Sequence, residues 1–161
     1  MKHAALLPLL LLATYCTSGT GGAQSSALRG TALPGHGAIA VQVAPNPIVA
    51  QPVTGNLYDF PFDIIVRETG GHPVTIDRVT TDVTAVGGLH VAQDSYDAAK
   101  INALNYPTAL PANGELRYHF APRRSVADER LFSGVSAELT VDATDDTGTA
   151  TSAKTTVTVR R

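Results

Sequence analysis

The feature that most constrains this chain is a two-residue hydrophobic period that recurs along its length. The period is clearest near the C-terminus, where apolar or β-branched side chains occupy every second position in residues 135–143 and 155–159. Successive side chains of a β-strand point to opposite faces of a sheet, so this spacing predicts two strands that each bury one face. The turn-forming residues 145–148 lie between them and predict an antiparallel hairpin.

Earlier segments carry the same period. Residues 39–43 alternate until Pro45-Asn46-Pro47, and because proline lacks a backbone N–H we expect an edge strand or a kink there. Residues 60–66 and 116–120 alternate as well, the second run following an Asn-Gly turn. The run 74–83 changes phase, and since a one-residue slip inverts the faces of a strand, it predicts a bulge or a break near Asp77-Arg78.

The stretch between residues 89 and 111 is less regular. Leu89 and Val91 fit a strand, and Asp94 or Ser95 fits the N-cap of a short helical turn. The segment 96–111 is interpreted either as a recognition loop or as a cover across the open side of the core.

Six or seven short strands with almost no helix predict an all-β fold. We expect an antiparallel β-sandwich of about seven strands over residues 38–161, because each strand offers one apolar face that only a second layer can bury. A length of 161 residues with 43% hydrophobic content fits one such domain.

At this point residues 138–148 and 155–159 resemble the closing hairpin of bacterial immunoglobulin-like domains, whose last strand often alternates Thr and Val. The resemblance covers about a quarter of the chain, and its motif is shared by many β-sandwich families. The chain has no tryptophan, so the Cys…Trp…Cys pattern of antibody-type domains is absent. The resemblance implies an immunoglobulin-like, extracytoplasmic interaction or spacer module without catalysis.

The first 23 residues fit a signal peptide. A short charged start precedes the apolar run 4–13, and small residues at 21–23 fit cleavage before Gln24. Ten helical residues rise about 15 Å, half of a hydrocarbon core of about 30 Å, so the run is short for a membrane span. Residues 13–16 also resemble the lipobox of bacterial lipoproteins, which implies a leader of residues 1–15 and lipidation of Cys16, although Tyr15 departs from the usual Gly or Ala. Both processing routes stay open.

Residues 24–37 are rich in Gly, Ser and Ala and have few large apolar side chains. Such a segment buries too little surface to offset its ordering entropy, so a disordered, flexible linker is expected before the domain. Together with the leader it predicts an extracytoplasmic location: periplasmic, secreted, or lipid-anchored at the cell envelope.

Composition and motifs exclude several kinds of chemistry. A formal net charge of −2 with 16% charged residues offers no basic surface for nucleic acid. The phosphate-binding glycine loop and the paired-histidine zinc spacing are both missing from the sequence. His72, His90 and His119 are scattered singly and are predicted to be surface residues. No cofactor is expected.

Two charged clusters carry alternative interpretations. Asp142, Asp145 and Asp146 supply carboxylates of the kind calcium prefers, but the EF-hand spacing is absent, and aspartates that cap their own turn are favoured. The Arg-rich run 122–130 fits a solvated loop that balances its own charges, or a docking site for an acidic partner.

The strand pattern favours an exported, non-catalytic module that binds a protein or glycan partner, or acts as a spacer, at the cell envelope. Any membrane contact would come through the lipid anchor. The alternatives are a small periplasmic inhibitor or chaperone-like binder that captures an extended segment, and a metal-dependent hydrolase whose polar groups meet only in the fold. An uncovered apolar edge strand favours the binder. A pocket that gathers two of the three histidines with a carboxylate favours the hydrolase.

We expect the native N-terminus to report export directly. Mass spectrometry of the protein from its own cells should find either a chain that starts near Gln24 or a diacylated Cys16, since both routes remove the apolar leader. A mature chain that still begins at Met1 would contradict the export prediction.

Overall fold

The computed structural model describes residues 33–132 and 134–161, so the predicted leader, Cys16 and most of the predicted linker lie outside the described residues. The helical elements are α1 (Ala98–Ala103) and two short 3₁₀ turns, Val86–Gly88 and Glu129–Phe132. The strands are β1 (Ile39–Ala44), β2 (Ile48–Val49), β3 (Gln51–Thr54), β4 (Leu57–Asp59), β5 (Phe62–Glu68), β6 (Val74–Ala85), β7 (Leu89–Asp97), β8 (Ala109–Leu110), β9 (Glu115–Phe120), β10 (Arg123–Ser125), β11 (Ser136–Asp145) and β12 (Ala150–Arg160).

The strands of six or more residues form two packed sheets. One sheet has the order β1-β5-β9, and the other has β12-β11-β6-β7, with every neighbouring pair antiparallel. Short strands extend them: β2 pairs in parallel with β12, and β8 pairs with β6, while β3, β4 and β10 form a small third sheet. In chain order, the first, second and fifth of the seven long strands are β1, β5 and β9, which form one sheet. The third, fourth, sixth and seventh are β6, β7, β11 and β12, which form the other, and this division is immunoglobulin-like. The predicted all-β, seven-stranded sandwich is confirmed.

The core lies between the two sheets and is built from alternate residues. In β11 the side chains at 137, 139, 141 and 143 are buried while their neighbours are more exposed, and β12 alternates in the same way. The predicted hairpin and its buried faces are therefore confirmed. The largest fully buried side chains come from both sheets and from β8: Tyr118, Ile39, Ile64, Ile76, Leu110, Leu139, Val41, Val66 and Val141.

A bulge in β6 confirms the predicted change of phase. Asp142 of β11 pairs with Arg78, while the next residue, Ala143, pairs with Ile76, so Asp77 is an extra residue on the β6 side. The extra residue lets both Ile76 and Val79 point into the core, because it restores the inward phase that a regular strand would lose.

The proline-rich segment after β1 carries the chain from one sheet to the other, a crossover that the predicted edge strand or kink did not specify. β1 is the edge strand of its own sheet, and β2 then joins the sheet of β12. The Asn46 side chain fixes this crossover, since its amide donates to the Thr156 carbonyl at 3.0 Å and its oxygen accepts from the Thr158 N–H at 3.2 Å.

The segment after β6 differs from prediction at one point. β7 continues to Asp97, and it is the Asp97 carboxylate, not Asp94 or Ser95, that caps α1 by accepting from the Lys100 N–H at 2.8 Å. Asp94 and Ser95 cannot take that role because both pair with β6. Segment 96–111 covers the core rather than standing out as a loop, since Ile101 and Leu110 within it are buried.

Among residues 33–132 and 134–161, no helix is long and apolar enough to cross a membrane; α1 has six residues.

Substitutions at neighbouring positions of β11 should have very different effects. Leu139→Ala is expected to lower the free energy of unfolding by about 2–5 kcal/mol, because it leaves a cavity in the core. The exposed neighbour provides the control: Glu138→Gln removes an exposed ion pair with Lys154 and should cost no more than about 1 kcal/mol. Urea denaturation measures both, and equal losses would contradict this placement of the core.

Candidate functional site

Two buried carboxylates lie at the end of the sandwich where β1 begins, which we call the proximal end. Glu68 occupies the inward phase of β5 after Ile64 and Val66, and it is only 4% exposed. Its oxygens accept N–H groups from three chain segments: Ala38 at 3.2 Å, Asn113 at 2.8 Å, and Gly70 and Gly71 at 2.6–3.0 Å. Burial opposes ionisation, but these backbone N–H groups outweigh it and lower the pKa of Glu68.

Asp145 occupies the corresponding place at the end of β11, and its side chain is fully buried. It accepts from the Thr147 hydroxyl at 2.7 Å and from the N–H groups of Thr149 at 2.7 Å, Thr147 at 2.9 Å and Gly37 at 3.0 Å. The Thr147 hydroxyl and these backbone donors hold the pKa of Asp145 well below its usual range, against the opposing effect of burial. A Cβ on Gly37 would lie 2.6 Å from Val74 and 2.9 Å from Asp145, so this close approach requires glycine.

These bonds also reach the last residues of the predicted linker. The His36 Nδ1 lies 3.3 Å from the Asp145 carboxylate, and Gly37 is buried against it. The predicted boundary at residue 38 stays a prediction, and the structure adds that the chain is held from His36 onward.

The three aspartates considered for calcium have different surroundings. Asp145 caps its own turn through Thr147 and Thr149, as the alternative interpretation expects. Asp142 accepts from the Ser152 hydroxyl at 2.8 Å, and Asp146 is exposed, 3.4 Å from His72. No group of three metal-binding side chains forms among the described residues. Calcium binding at these positions stays a prediction, without a preformed ligand set to support it.

The histidines of the domain are also separated. His72 pairs with Asp146, His90 with Asp82 at 2.8 Å, and His119 with Asp63 at 2.8 Å. His90 and His119 are exposed and His72 is half-buried, in keeping with the surface prediction. Each of these three histidines lies against a different carboxylate, so the structure does not bring two of them to one carboxylate.

A concave site lies at the opposite, distal end of the β1-β5-β9 sheet. It has a volume of about 360 Å³ and forms where the end of β1 and the crossover meet the start of β5. Its lining residues are Ala44, Pro45, Val49, Gln51, Pro61, Phe62, Asp63 and His119. We call it the distal cleft.

Asp63 is the charged group of the distal cleft. One of its oxygens lies 2.8 Å from His119 Nδ1, and the other accepts from Arg117 at 2.9 Å. The hydrogen bond from His119, and next that from Arg117, lower the pKa of Asp63, so its carboxylate is held ionised and oriented. Sequence alternation placed Asp63 and His119 on polar faces, but their pairing depends on the register of β5 against β9.

A second feature is the free edge of β7. In the described part of the chain this strand pairs only with β6, so it ends its sheet. Leu89 is 68% exposed, Val91 is 58% exposed, and Val86 in the connecting turn is 73% exposed. The hairpin of β6 and β7 therefore presents apolar side chains beside unpaired backbone.

The Arg-rich run has matched charges. Arg123 in β10 forms two hydrogen bonds to Asp59, at 2.7 and 2.9 Å, and Arg124 lies 3.6 Å from Asp94. Both acidic partners lie outside the run, in β4 and β7, so neighbouring strands balance these two arginines, and residues Arg123–Ser125 form a strand where a loop was predicted.

Comparisons with known proteins give the fold but no family. No protein-family model matches the chain, and neither does any curated protein. Among solved structures, the protein described as ApaA from Bordetella pertussis is similar at 12% identity and a TM-score of 0.57, covering 80% of this chain and 99% of that one. The structural-genomics target SoR45 is similar at 13% identity and a TM-score of 0.55, covering 76% and 86%. At these identities the similarity shows a shared β-rich fold alone.

Stability should fall in acid through the buried carboxylates. Glu68 and Asp145 both have a lower pKa in the folded chain than in the unfolded chain. Their contribution to the free energy of unfolding is therefore present above the unfolded pKa values of about 4, and it is lost as the pH falls below those values. Asp145→Asn should lower the melting temperature at pH 7, because the amide points a donor at other donors, and it should flatten the fall between about pH 5 and 2. Thermal melts across pH test this.

The matched control is Asp146→Asn, which changes the exposed neighbour in the same turn and should keep the shape of the original pH curve. If both variants lose stability equally, the network around Asp145 does not have the role given to it here.

Proposed function

We propose that this chain is an exported, non-catalytic immunoglobulin-like module whose edge strand β7 binds an extended segment of a protein partner. The observation that carries the proposal is the free edge of β7 with exposed Leu89 and Val91 beside it. An uncovered apolar edge favours a binder over a spacer, because a spacer has no use for unpaired strand edges and gains an aggregation hazard from them.

The physical basis is strand addition. An edge strand presents a row of unpaired N–H and C=O groups, and an extended peptide satisfies them by becoming the next strand. Affinity then comes from main-chain hydrogen bonds, and selectivity comes from alternate side chains that contact those of the sheet. The apolar tip of the hairpin would select a segment with apolar residues at alternate positions.

The free part of the edge is shorter than the strand. Near the C-terminal end of β7, Lys100 Nζ donates to the Ser95 carbonyl at 3.1 Å, and Arg124 lies 3.6 Å from the Asp94 carboxylate. The free part of the edge is therefore residues 89–93, which span about 17 Å at about 3.4 Å per residue. A partner segment of about five residues fits this length.

The same strand carries features that restrain indiscriminate pairing. Val83 of β6 pairs with Ala92 and the next residue, Thr84, pairs with His90, so Val91 is an extra residue that forms a bulge in β7. Bulges and charged residues on an edge disfavour association with any passing strand. This supports binding of a selected segment over general adhesion.

The non-catalytic part of the proposal is supported by the separated histidines. Each of the three lies against its own aspartate, so no two of them share a carboxylate as a paired-histidine site would require. The exported part is supported by the leader-like N-terminus of the sequence.

Site-specific photocrosslinking tests the proposal in the full chain within its native envelope. A benzoylphenylalanine placed at Gln93 should crosslink to one protein, whereas the same group at Thr156 on the exposed face of β12 should not. A synthetic peptide of the crosslinked segment should then slow hydrogen exchange of the amides in β7, because pairing protects N–H groups that are free in the unbound protein.

A double variant separates edge binding from other contacts. Leu89→Lys with Val91→Lys keeps the fold, since both side chains are exposed, and should weaken binding of that peptide by about tenfold or more. Thr156→Lys with Thr158→Lys is the matched control and should bind as the original chain does. Unchanged exchange in β7, or equal binding by both variants, contradicts the proposal.

A further inference from the structure

We propose that the distal cleft is a second binding site, and that it takes a neutral carbohydrate unit, a pyranose ring. This site is separate from the edge of β7, and the inference does not depend on the protein-binding function. It follows from the size of the cleft, its apolar floor, and the mixture of hydrogen-bond donors and acceptors on its rim.

The size and floor of the cleft suit a single ring. Its volume of about 360 Å³ lies at the small end of the range for ligand sites, which is about 300–1,000 Å³. Five of the eight lining residues are apolar, and together we call them the floor: Ala44, Pro45, Val49, Pro61 and Phe62. One face of a pyranose is made mostly of C–H groups and gains by covering such an apolar surface.

The rim offers polar groups that the fold does not use. The side-chain amide of Gln51 is exposed and makes no hydrogen bond with any described residue, so its donors and its acceptor are available. His119 uses Nδ1 for Asp63, and its Nε2 has no hydrogen-bond partner among the residues that the structure describes. Each oxygen of Asp63 takes one hydrogen bond from the protein and keeps a lone pair for a ligand. Hydroxyl groups, which donate and accept at one atom, match this set.

The charges around the cleft select against ionic ligands. A phosphate or carboxylate would meet the Asp63 carboxylate, whose lowered pKa keeps it charged near neutral pH. A cation would meet the Arg117 guanidinium, which lies 2.9 Å from the same carboxylate and already compensates its negative charge. A neutral polyol avoids both costs, while an oriented carboxylate remains a strong hydrogen-bond acceptor for its hydroxyl groups.

The walls of the cleft are fixed before a ligand arrives. Asn46 ties the crossover to β12 through two hydrogen bonds, and the Ala50 N–H donates to the Arg160 carbonyl at 2.8 Å. On the other side, the Phe60 N–H donates to the Pro122 carbonyl at 3.0 Å. A preformed cleft lowers the ordering cost of binding, which matters for a small ligand with few contacts.

Amide chemical-shift titration by NMR, with neutral methyl glycosides as probes, tests this inference on the purified chain. The probes are the methyl pyranosides of glucose, mannose and galactose, and cyclohexanol and inorganic phosphate are the controls. At least one glycoside should bind with a millimolar Kd, more tightly than either control, and it should shift the amide resonances of the non-proline residues in 44–51 and 61–63 and of His119.

Rim variants locate the site. Gln51→Ala should raise the Kd of that glycoside about fivefold, and Asp63→Asn should raise it about tenfold, since the second removes charge-assisted hydrogen bonds. Gln93→Ala, an exposed glutamine on β7, is the matched control and should leave the Kd within about twofold. The double lysine variant at Leu89 and Val91 should also keep glycoside binding, so loss of one site is distinguishable from loss of the other.

Three results would overturn the inference. They are the absence of binding by all three glycosides at about 50 mM, tighter binding of phosphate or cyclohexanol, and glycoside binding that both rim variants leave unchanged.

Discussion

Burial of alternate side chains between two β-sheets is the constraint on which the rest of this structure depends. The apolar residues of β11 and β12 can leave water only if a second sheet covers them, and β1, β5 and β9 supply that sheet. The described domain contains no cysteine, so its stability rests on this core and on hydrogen bonds. Even the bulge at Asp77 serves the same end, because it returns β6 to the inward phase.

The proximal end of the core is closed by acidic side chains. Glu68 and Asp145 continue the inward phase of β5 and β11 past the last apolar residue, where they meet the N–H groups of loops that no strand satisfies. The Thr147 hydroxyl and backbone N–H groups, rather than Lys or Arg side chains, compensate for burying these charges. One pair of carboxylates thereby connects the start of β1 with the turns after β5 and β11 and with the turn before β9.

The two proposed binding features arise where the sandwich is incomplete. β7 ends its sheet and extends past the covered core, so both its edge and its apolar side chains reach solvent. The distal cleft opens where the crossover after β1 leaves a gap beside the first residues of β5. Both features are built at the ends or edges of strands, where β-sandwiches position residues for binding.

The sequence by itself determined most of the long strands, their buried faces, the change of phase in β6, the edge or kink at Pro45 and the final hairpin, because each depends on local periodicity or on the chemistry of neighbouring residues. It also determined that the histidines lie singly. Only the tertiary structure decided which polar groups meet. The His119–Asp63 contact, the hydrogen bond from the Gly37 N–H to Asp145, and the free edge of β7 are examples. They depend on strand register and strand order, which relate residues as far as 108 positions apart. Alternation specifies which way a side chain points, but it carries no information about which strand lies beside it.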